Sequence, residues 1–271
     1  MLHDHPTDSG ALLSLAPLLI IAGVLFAYLV AAKRQRRFPR RWSRWRILSM
    51  VSGIGLLAIA FSPPLATSAH HDLRGHMIQH LLIGMFAPLG LVFAAPVTLA
   101  LRTLPLRTAR FVPSVLHSWP CRWLSHPVPA LLLNSGGMYL LYLTPLHAMS
   151  LTNPSLHYLV QIHFLAAGCL FTAAIAGPDP MPRRPGLATR LGVLFIGIAA
   201  HANLSKLMYI YLWPPNTSHS ADEIRAAAQL MYYGGDLAEL FLVVALFATW
   251  YQRRGAIYGK RRPQRQLAER M

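Results

Sequence analysis

The stretch HMIQHLLIGMFAP, residues 76–88, places two histidines one helical turn apart at the start of an apolar run. The run continues to about residue 100, and a transmembrane helix needs about 20 mostly apolar residues. Residues 73–100 are therefore predicted to span a membrane. A histidine inside a span is costly unless it has a partner, so His76 and His80 indicate a site.

The composition agrees with a membrane protein. Of 271 residues, 54% are hydrophobic and 13% are charged, whereas charged residues make up about a quarter of a soluble chain. The net charge of +16 comes from 25 Lys and Arg against 9 Asp and Glu. These basic residues lie in short groups between apolar runs and not on one soluble face, which argues against nucleic acid as a partner. The lipid bilayer is the expected environment.

Seven segments are predicted to span the membrane, at about 11–32, 46–62, 73–100, 128–147, 155–177, 188–212 and 226–251. The connectors are too short for a soluble domain, so residues 1–271 are interpreted as one all-α domain, a polytopic seven-helix membrane bundle. The third span contains Pro88 and is expected to break there. No basic region precedes the first span, which is expected to remain as an anchor.

Short cytoplasmic loops are rich in Lys and Arg. With seven spans, 22 of the 25 basic residues fall on one side: eight in residues 33–46, four in 102–122, three in 183–190 and seven in 253–270. This distribution predicts an extracytoplasmic N-terminus, a cytoplasmic C-terminus and a multi-pass membrane protein.

The histidines are distributed differently, mostly toward the outer side. Six residues in the spans or at their outer ends are the candidate ligands: His76, His80, His157, His163, His201 and Asp236. At about 1.5 Å of rise per residue, His80 and His163 lie about 10 Å below the outer end, with His201 and Asp236 deeper. His157 and His163 are six positions apart, so they point in directions about 120° apart.

Neutral imidazole is a good ligand for copper and zinc, and a pair at i,i+4 can present two nitrogens to one ion. Structural zinc sites usually use several cysteines, and the chain has only Cys121 and Cys169, which share no motif. Thioether sulfur suits Cu(I), and four methionines lie near these helices: Met77, Met85, Met149 and Met208. Copper, as Cu(I), is therefore the predicted metal at the six residues. A proton or structural network is the other interpretation.

Three further features complete the pattern. The N-terminal MLH could form a Cu(II) site through its backbone and His3. His70, His71 and His219 are expected to be ordinary loop residues, and His147 lies in an outer segment or at an outer helix end. Asp179, in the turn GPDPMPRRPG (177–186), is expected to tie a helix end to the basic loop. No nucleophile–base or phosphate-binding motif is present, so an enzyme is not expected.

Three stretches resemble the CtaG family, assembly factors for caa3-type cytochrome c oxidase. They are HMIQHLLIGMFAPLGLVFAAPVTLALR (76–102), HYLVQIHFLAAGCLFTAAIAGPDPMPRRP (157–185) and QLMYYGGDLAELFLVVALFATWY (229–251). The resemblance implies a polytopic protein that helps copper reach the catalytic subunit of the oxidase, with an extracytoplasmic copper donor as a second partner. It makes His76, His80, His157 and His163 the first candidate ligands, followed by His201 and Asp236.

The resulting hypothesis is that Cu(I) enters from outside, moves between weak His and Met sites and passes sideways to the oxidase. Two alternatives remain. A copper channel or transporter would need a polar route through the inner half of the bundle. A haem-binding electron carrier would need two axial histidines on facing helices, for which His80 and His163 are the candidates.

Overall fold

The computed structural model describes residues 8–35, 42–105, 113–181, 184–217 and 219–268, and in these ranges the chain is helical with short connections and no strand. The predicted Cu(II) site at MLH lies outside the described residues. The helices are α1 Asp8–Gln35, α2 Arg44–Ala60, α3 Pro63–His71, α4 Leu73–Leu81, α5 Ala87–Phe93, α6 Pro96–Thr103, α7 Trp119–Leu124, α8 Pro127–Leu143, α9 Leu146–Thr152, α10 Pro154–Ala176, α11 Leu187–Tyr211 and α12 Ala221–Ala268. A π-helical turn, Leu82–Phe86, joins α4 to α5.

Several of these helices can cross a membrane. Five segments in the described ranges are long and apolar enough: Ala16–Gln35, Leu73–Thr103, Pro154–Ala176, Leu187–Tyr211 and Ala221–Gln252. Helices α2 and α3, bent by 56°, make a sixth if they count as one span. The predicted span 128–147 corresponds to α8, which has 17 residues and a length of about 25 Å. An all-helical, multi-span architecture is thus confirmed, and the count of seven stays a prediction.

The third span is irregular, but it does not break at Pro88 as predicted. Proline has no N–H, so the carbonyl four residues earlier, at Gly84, cannot be bonded by it. The π-helical turn absorbs this defect, and the Gly84 carbonyl lies against Gly168 of α10, where a Cβ would overlap it. The helix continues to Phe93. Two residues later, Ala95 adopts the left-handed conformation (φ 54°), and α6 begins immediately after it.

The bundle has two chemically different ends. We call the first the histidine end, defined by His76, His147, His157 and His219, and the second the basic end, defined by Arg102, Arg122, Arg184 and Arg190. Hydrogen bonds join elements at the basic end. The Arg190 guanidinium donates a hydrogen bond to the Ile175 carbonyl at 3.0 Å, and the Asp179 carboxylate caps the start of α6.

Three apolar clusters fill the bundle. One joins α1 and α2 to α5 around Tyr28 and Ile54. A second lies at the histidine end around Met77 and Tyr142. The third lies at the basic end, where its buried members include Leu131, Phe171, Ile175, Leu194, Leu242 and Leu246. The candidate site therefore begins within the second cluster and is separated from the basic end by the third.

Candidate metal centre

Two imidazoles meet at the histidine end. His76 on α4 is 7% exposed and His147 on α9 is completely buried. Their ring centroids are 4.6 Å apart, with the planes at 74°. Sequence reasoning missed His147, because it is the last residue of the predicted span 128–147 and was placed at the outer surface. Its only signal was its position after an apolar run on the histidine-rich side.

His80 lies one helical turn further along α4. Its ring packs edge-on against Phe164 at 4.6 Å and against Tyr142 at 5.9 Å. The Tyr142 ring also lies 6.1 Å from His76 and 6.0 Å from His147. This tyrosine is therefore the common neighbour of three imidazoles, and its hydroxyl is 3.9 Å from the sulfur of Met77.

The ring nitrogens of these histidines are unusual. In His76, His80, His147 and His201, both nitrogens are buried and none has a hydrogen-bond partner among the described residues. A buried polar group left unpaired costs about 1–3 kcal/mol, and nearly all buried polar groups in folded proteins are paired. Imidazoles arranged in this way fit a function in which a metal ion or water supplies the partner.

His157 belongs to a hydrogen-bonded chain of side chains. The Gln161 amide nitrogen lies 2.8 Å from Nε2 of His157 and 3.1 Å from Oε1 of Gln79. The Gln79 amide in turn donates to the Ala60 carbonyl at 2.8 Å. His157 faces His76 and His80 across a cavity of about 20 Å³. It also lines a larger cavity of about 400 Å³ that reaches Pro17 of α1.

His163 is not brought to this group. Its ring points toward α8, where Nε2 donates to the Leu133 carbonyl at 3.1 Å. A Cβ at Gly137 would lie 2.5 Å from the same nitrogen, so this glycine leaves room for the ring. Phe164, the next residue, is the one that faces His80. The structure thus places three of the first four predicted ligands together and His163 on another face.

His201 lies deeper and is paired with a carboxylate that the sequence prediction did not choose. Its Nδ1 is 4.0 Å from Oε1 of Glu239, and both line a cavity of about 30 Å³ with Asn134 and Ser135. A Cβ at Gly235 would overlap the His201 ring. The predicted Asp236 is half-buried. Glu239, three residues later on the same helix, is the carboxylate that lies near His201.

The entrance to the histidine end carries charge. Nδ1 of His219 lies 3.6 Å from Oε2 of Glu223, and Arg74 pairs with Asp72 at 2.9 Å. The hydrogen bond from Arg74 holds the pKa of Asp72 below its ordinary value, so this carboxyl is ionised at neutral pH. Its charge also interacts with His219, which places two carboxylates in the electrostatic environment of that imidazole.

Residues 26–253 match the family of the cytochrome c oxidase caa3 assembly factor CtaG. The chain belongs to the CtaG family. The matched region contains all six predicted metal ligands, as well as His147, His219 and Glu239.

The CtaG-family chain is also similar to uncharacterized mycobacterial proteins. The one from Mycobacterium leprae is 31% identical over 250 residues, which cover 85% of this chain and 38% of the relative. Those from Mycobacterium bovis and Mycobacterium tuberculosis are 34% identical over 190 residues, or 67% of this chain and 29% of each relative. The chain therefore spans about a third of the length of these relatives. No solved structure matches it.

The arrangement limits what this CtaG-family site can do. No three His, Cys, Asp or Glu side chains in the described ranges converge as a closed metal site. The contacts are pairwise instead, at His76–His147 and His201–Glu239. Pairs of donors bind an ion less tightly than a four-ligand cage does, and they favour exchange over permanent retention.

Proposed function

We propose that this CtaG-family chain is a membrane assembly factor that receives Cu(I) and passes it to the catalytic subunit of a caa3-type cytochrome c oxidase. The observation that supports this role is the set of buried imidazoles, His76, His80 and His147, whose ring nitrogens have no partner among the described residues. Imidazole suits copper, and the thioether of Met77 beside Tyr142 adds a soft donor.

The orientation follows from the distribution of charge. The basic end faces the cytoplasm, because Lys and Arg concentrate in cytoplasmic loops. The histidine end then faces the extracytoplasmic side of the bacterial inner membrane, with the N-terminus outside. Copper would enter there from a donor on that side, and the cation would be cargo that the chain holds only briefly.

The path continues inward and then stops. From His76 the ion reaches His80 one turn deeper, and the His201–Glu239 pair is the deepest polar group of this set. Beyond it lies the third apolar cluster, whose Phe171 and Leu242 line the same cavity as His201. A cation would be poorly stabilised among such residues, so lateral delivery is favoured over transport to the cytoplasm.

A lateral exit is available next to His157. The cavity of about 400 Å³ that this residue lines is bounded by Pro17, Phe61 and Tyr158, and it contains the polar ends of Gln79 and Gln161. It thus connects the imidazole group with the flank of the bundle formed by α1 and α10. A helix of the oxidase subunit placed at this flank could accept the ion without exposing it to water.

The haem-carrier alternative is not favoured. Its axial pair, His80 and His163, would need to face one another, but the His163 ring points to α8 and Phe164 stands beside His80. The cavity that His80 lines measures about 20 Å³, which is below the 300–1,000 Å³ of typical cofactor pockets.

The first test is Cu(I) binding by the purified protein in detergent under reducing conditions, with copper measured after competition with a chelator. The double variant His76→Gln/His80→Gln is compared with His163→Gln, which also changes an intramembrane histidine. We expect the double variant to lose copper and the single variant to retain the wild-type amount. Equal copper in all three proteins would overturn the proposed copper site.

A second readout separates copper handling from other assembly roles. Oxidase isolated from cells that carry the double variant should lack copper in its catalytic subunit, while the variant itself accumulates normally in the membrane. An oxidase with full copper content would show that this chain assists assembly in another way.

A further inference from the structure

We infer that His147 and His219 form the receiving site for Cu(I), from which the ion moves to His76. This inference rests on the proposed function. It adds two ligands that the ion would meet before the intramembrane histidines, and it places the entrance of the copper route at these two residues. The two residues are 72 positions apart in the chain and belong to α9 and to the segment before α12.

The distance between the rings fits a shared ion. A metal–imidazole bond is about 2.0 Å long and a ring nitrogen lies about 1.1 Å from the ring centroid, so two imidazoles on opposite sides of one ion have centroids about 6 Å apart. The His147 and His219 centroids are 6.4 Å apart, with the planes at 42°. Two nitrogen donors in this arrangement match the low coordination number that Cu(I) accepts.

His147 is prepared for such a role by its surroundings. It is completely buried, and neither ring nitrogen has a hydrogen-bond partner among the described residues. The ring is in contact with His76 on one side and near His219 on the other. A histidine that served only packing would be expected to donate its N–H to a nearby carbonyl.

His219 has a carboxylate beside one of its ring nitrogens. Glu223 lies 3.6 Å from its Nδ1, which is longer than a hydrogen bond but close enough for electrostatic attraction. A negative charge on this side favours a proton on Nδ1 and leaves Nε2 as the nitrogen available to a metal ion. The His219 side chain is only 8% exposed, so its orientation is constrained by its neighbours as well.

The charge around the entrance favours a cation. Two carboxylates, Asp72 and Glu223, lie at this entrance together with one guanidinium, Arg74, which pairs with Asp72. These three side chains therefore carry one net negative charge. Acidic groups at the mouth of a site raise the local concentration of cations and their rate of association. The next ring, His76, lies 4.6 Å from His147, so the ion can be exchanged between neighbouring imidazoles.

The experiment measures both the amount and the rate of Cu(I) uptake. The full chain in detergent is mixed with the Cu(I) complex of ferrozine, a chromophoric chelator weak enough for pairs of donors to compete with, and the loss of the chelator absorbance is followed by stopped flow. The variants are His147→Gln and His219→Gln, and the control is His117→Gln, an exposed histidine away from the histidine end. We expect both variants to load at least about tenfold more slowly than wild type and to bind fewer ions, with the control unchanged.

The outcomes are distinguishable. If the wild type takes up no copper, the proposed function is wrong and the receiving site is wrong with it. If the wild type loads but both variants match it in rate and amount, only the receiving site is wrong. His147→Met provides a check against a folding defect in His147→Gln, because a thioether can replace imidazole as a Cu(I) ligand. Recovery of uptake in that variant would support direct ligation.

Discussion

The two ends of the bundle treat buried polar side chains in opposite ways. At the basic end they form structural hydrogen bonds, since Arg190 donates to the Ile175 carbonyl and Asp179 accepts from the backbone of Val97 and Thr98. At the histidine end, the nitrogens of the central imidazoles have no partner among the described residues. Arg190 and Asp179 are thus bonded where they support structure, whereas the imidazoles at which the proposed cargo would bind have unpaired nitrogens.

This contrast explains why burial alone does not identify a site. Asp179 is half-buried and polar, but its bonds show that it closes the start of α6 and joins it to the turn after α10. His76 is also polar and nearly inaccessible, but its ring nitrogens have no hydrogen-bond partner among the described residues. The free energy of unfolding should therefore depend on Asp179, and the amount of bound copper should depend on His76.

The largest effect is expected from Asp179→Ala. The substitution removes a carboxylate that accepts hydrogen bonds from Val97 N at 3.1 Å and Thr98 N at 2.8 Å, as well as from the Thr98 hydroxyl. Hydrogen bonds to charged groups contribute about 1.5–3 kcal/mol each, so the free energy of unfolding should fall by about 3 kcal/mol. Thermal or denaturant unfolding in detergent measures it. Asp179→Asn retains one acceptor oxygen and should lose less stability. Equal stability of the wild type and both variants would show that Asp179 does not stabilise the start of α6.

The next largest effect is expected from Gly235→Ala. The new methyl group would overlap the His201 ring, and overpacking a dense interior costs about 1–3 kcal/mol. The control is Gly136→Ala on α8, where no atom lies within 4 Å of the added Cβ and the helix should gain up to about 1 kcal/mol. Unfolding in detergent compares the two, and opposite signs are the expected result. A similar change in both would mean that Gly235 does not make room for His201.

The third prediction is a substitution that does not destabilise the protein, although most substitutions do. In His76→Leu an imidazole without a partner is replaced by an apolar side chain of similar size, so the free energy of unfolding should rise by about 1 kcal/mol or stay unchanged. Copper binding should fall in the same protein. Unfolding in detergent and chelator competition measure the two quantities. A clear loss of stability would indicate that the His76 nitrogens are paired in the folded protein.

The smallest effect is expected from His163→Gln. This ring donates one hydrogen bond to the Leu133 carbonyl, and a typical neutral hydrogen bond contributes about 1 kcal/mol. Stability should therefore change by less than that, because glutamine can still donate, and the amount of bound copper should not change. If copper were lost instead, the orientation of His163 toward α8 would be wrong.

Much of the architecture could be predicted from the sequence. Apolar runs indicated spans at 155–177 and 188–212, and the structure has helices Pro154–Ala176 and Leu187–Tyr211 there. The predicted break at Pro88 was wrong. Neither the hydropathy nor the proline itself indicates that the Gly84 carbonyl packs against Gly168 of a neighbouring helix. That contact depends on how two distant helices pack.

The candidate site could be predicted only in part, for the same reason. Spacing along one helix correctly placed His76 and His80 on one face. The rotation of a helix relative to its neighbours is a tertiary property, so sequence could not decide that His163 faces α8 while His157 faces α4. His147 was missed because α9 is a short helix whose burial comes entirely from surrounding elements.

The π-helical turn at Leu82–Phe86 has an evolutionary consequence. It contains one more residue than an α-helical turn would need, as a single-codon insertion would produce. Each residue rotates an α-helix by about 100°, so deleting one codon there would turn His76 and His80 away from Tyr142 and His147 without altering the half of the span beyond Pro88. A homologue shorter by one residue at this position would keep the membrane topology, but its two histidines would no longer face Tyr142 and His147. The length of this turn therefore indicates which homologues retain the arrangement of histidines.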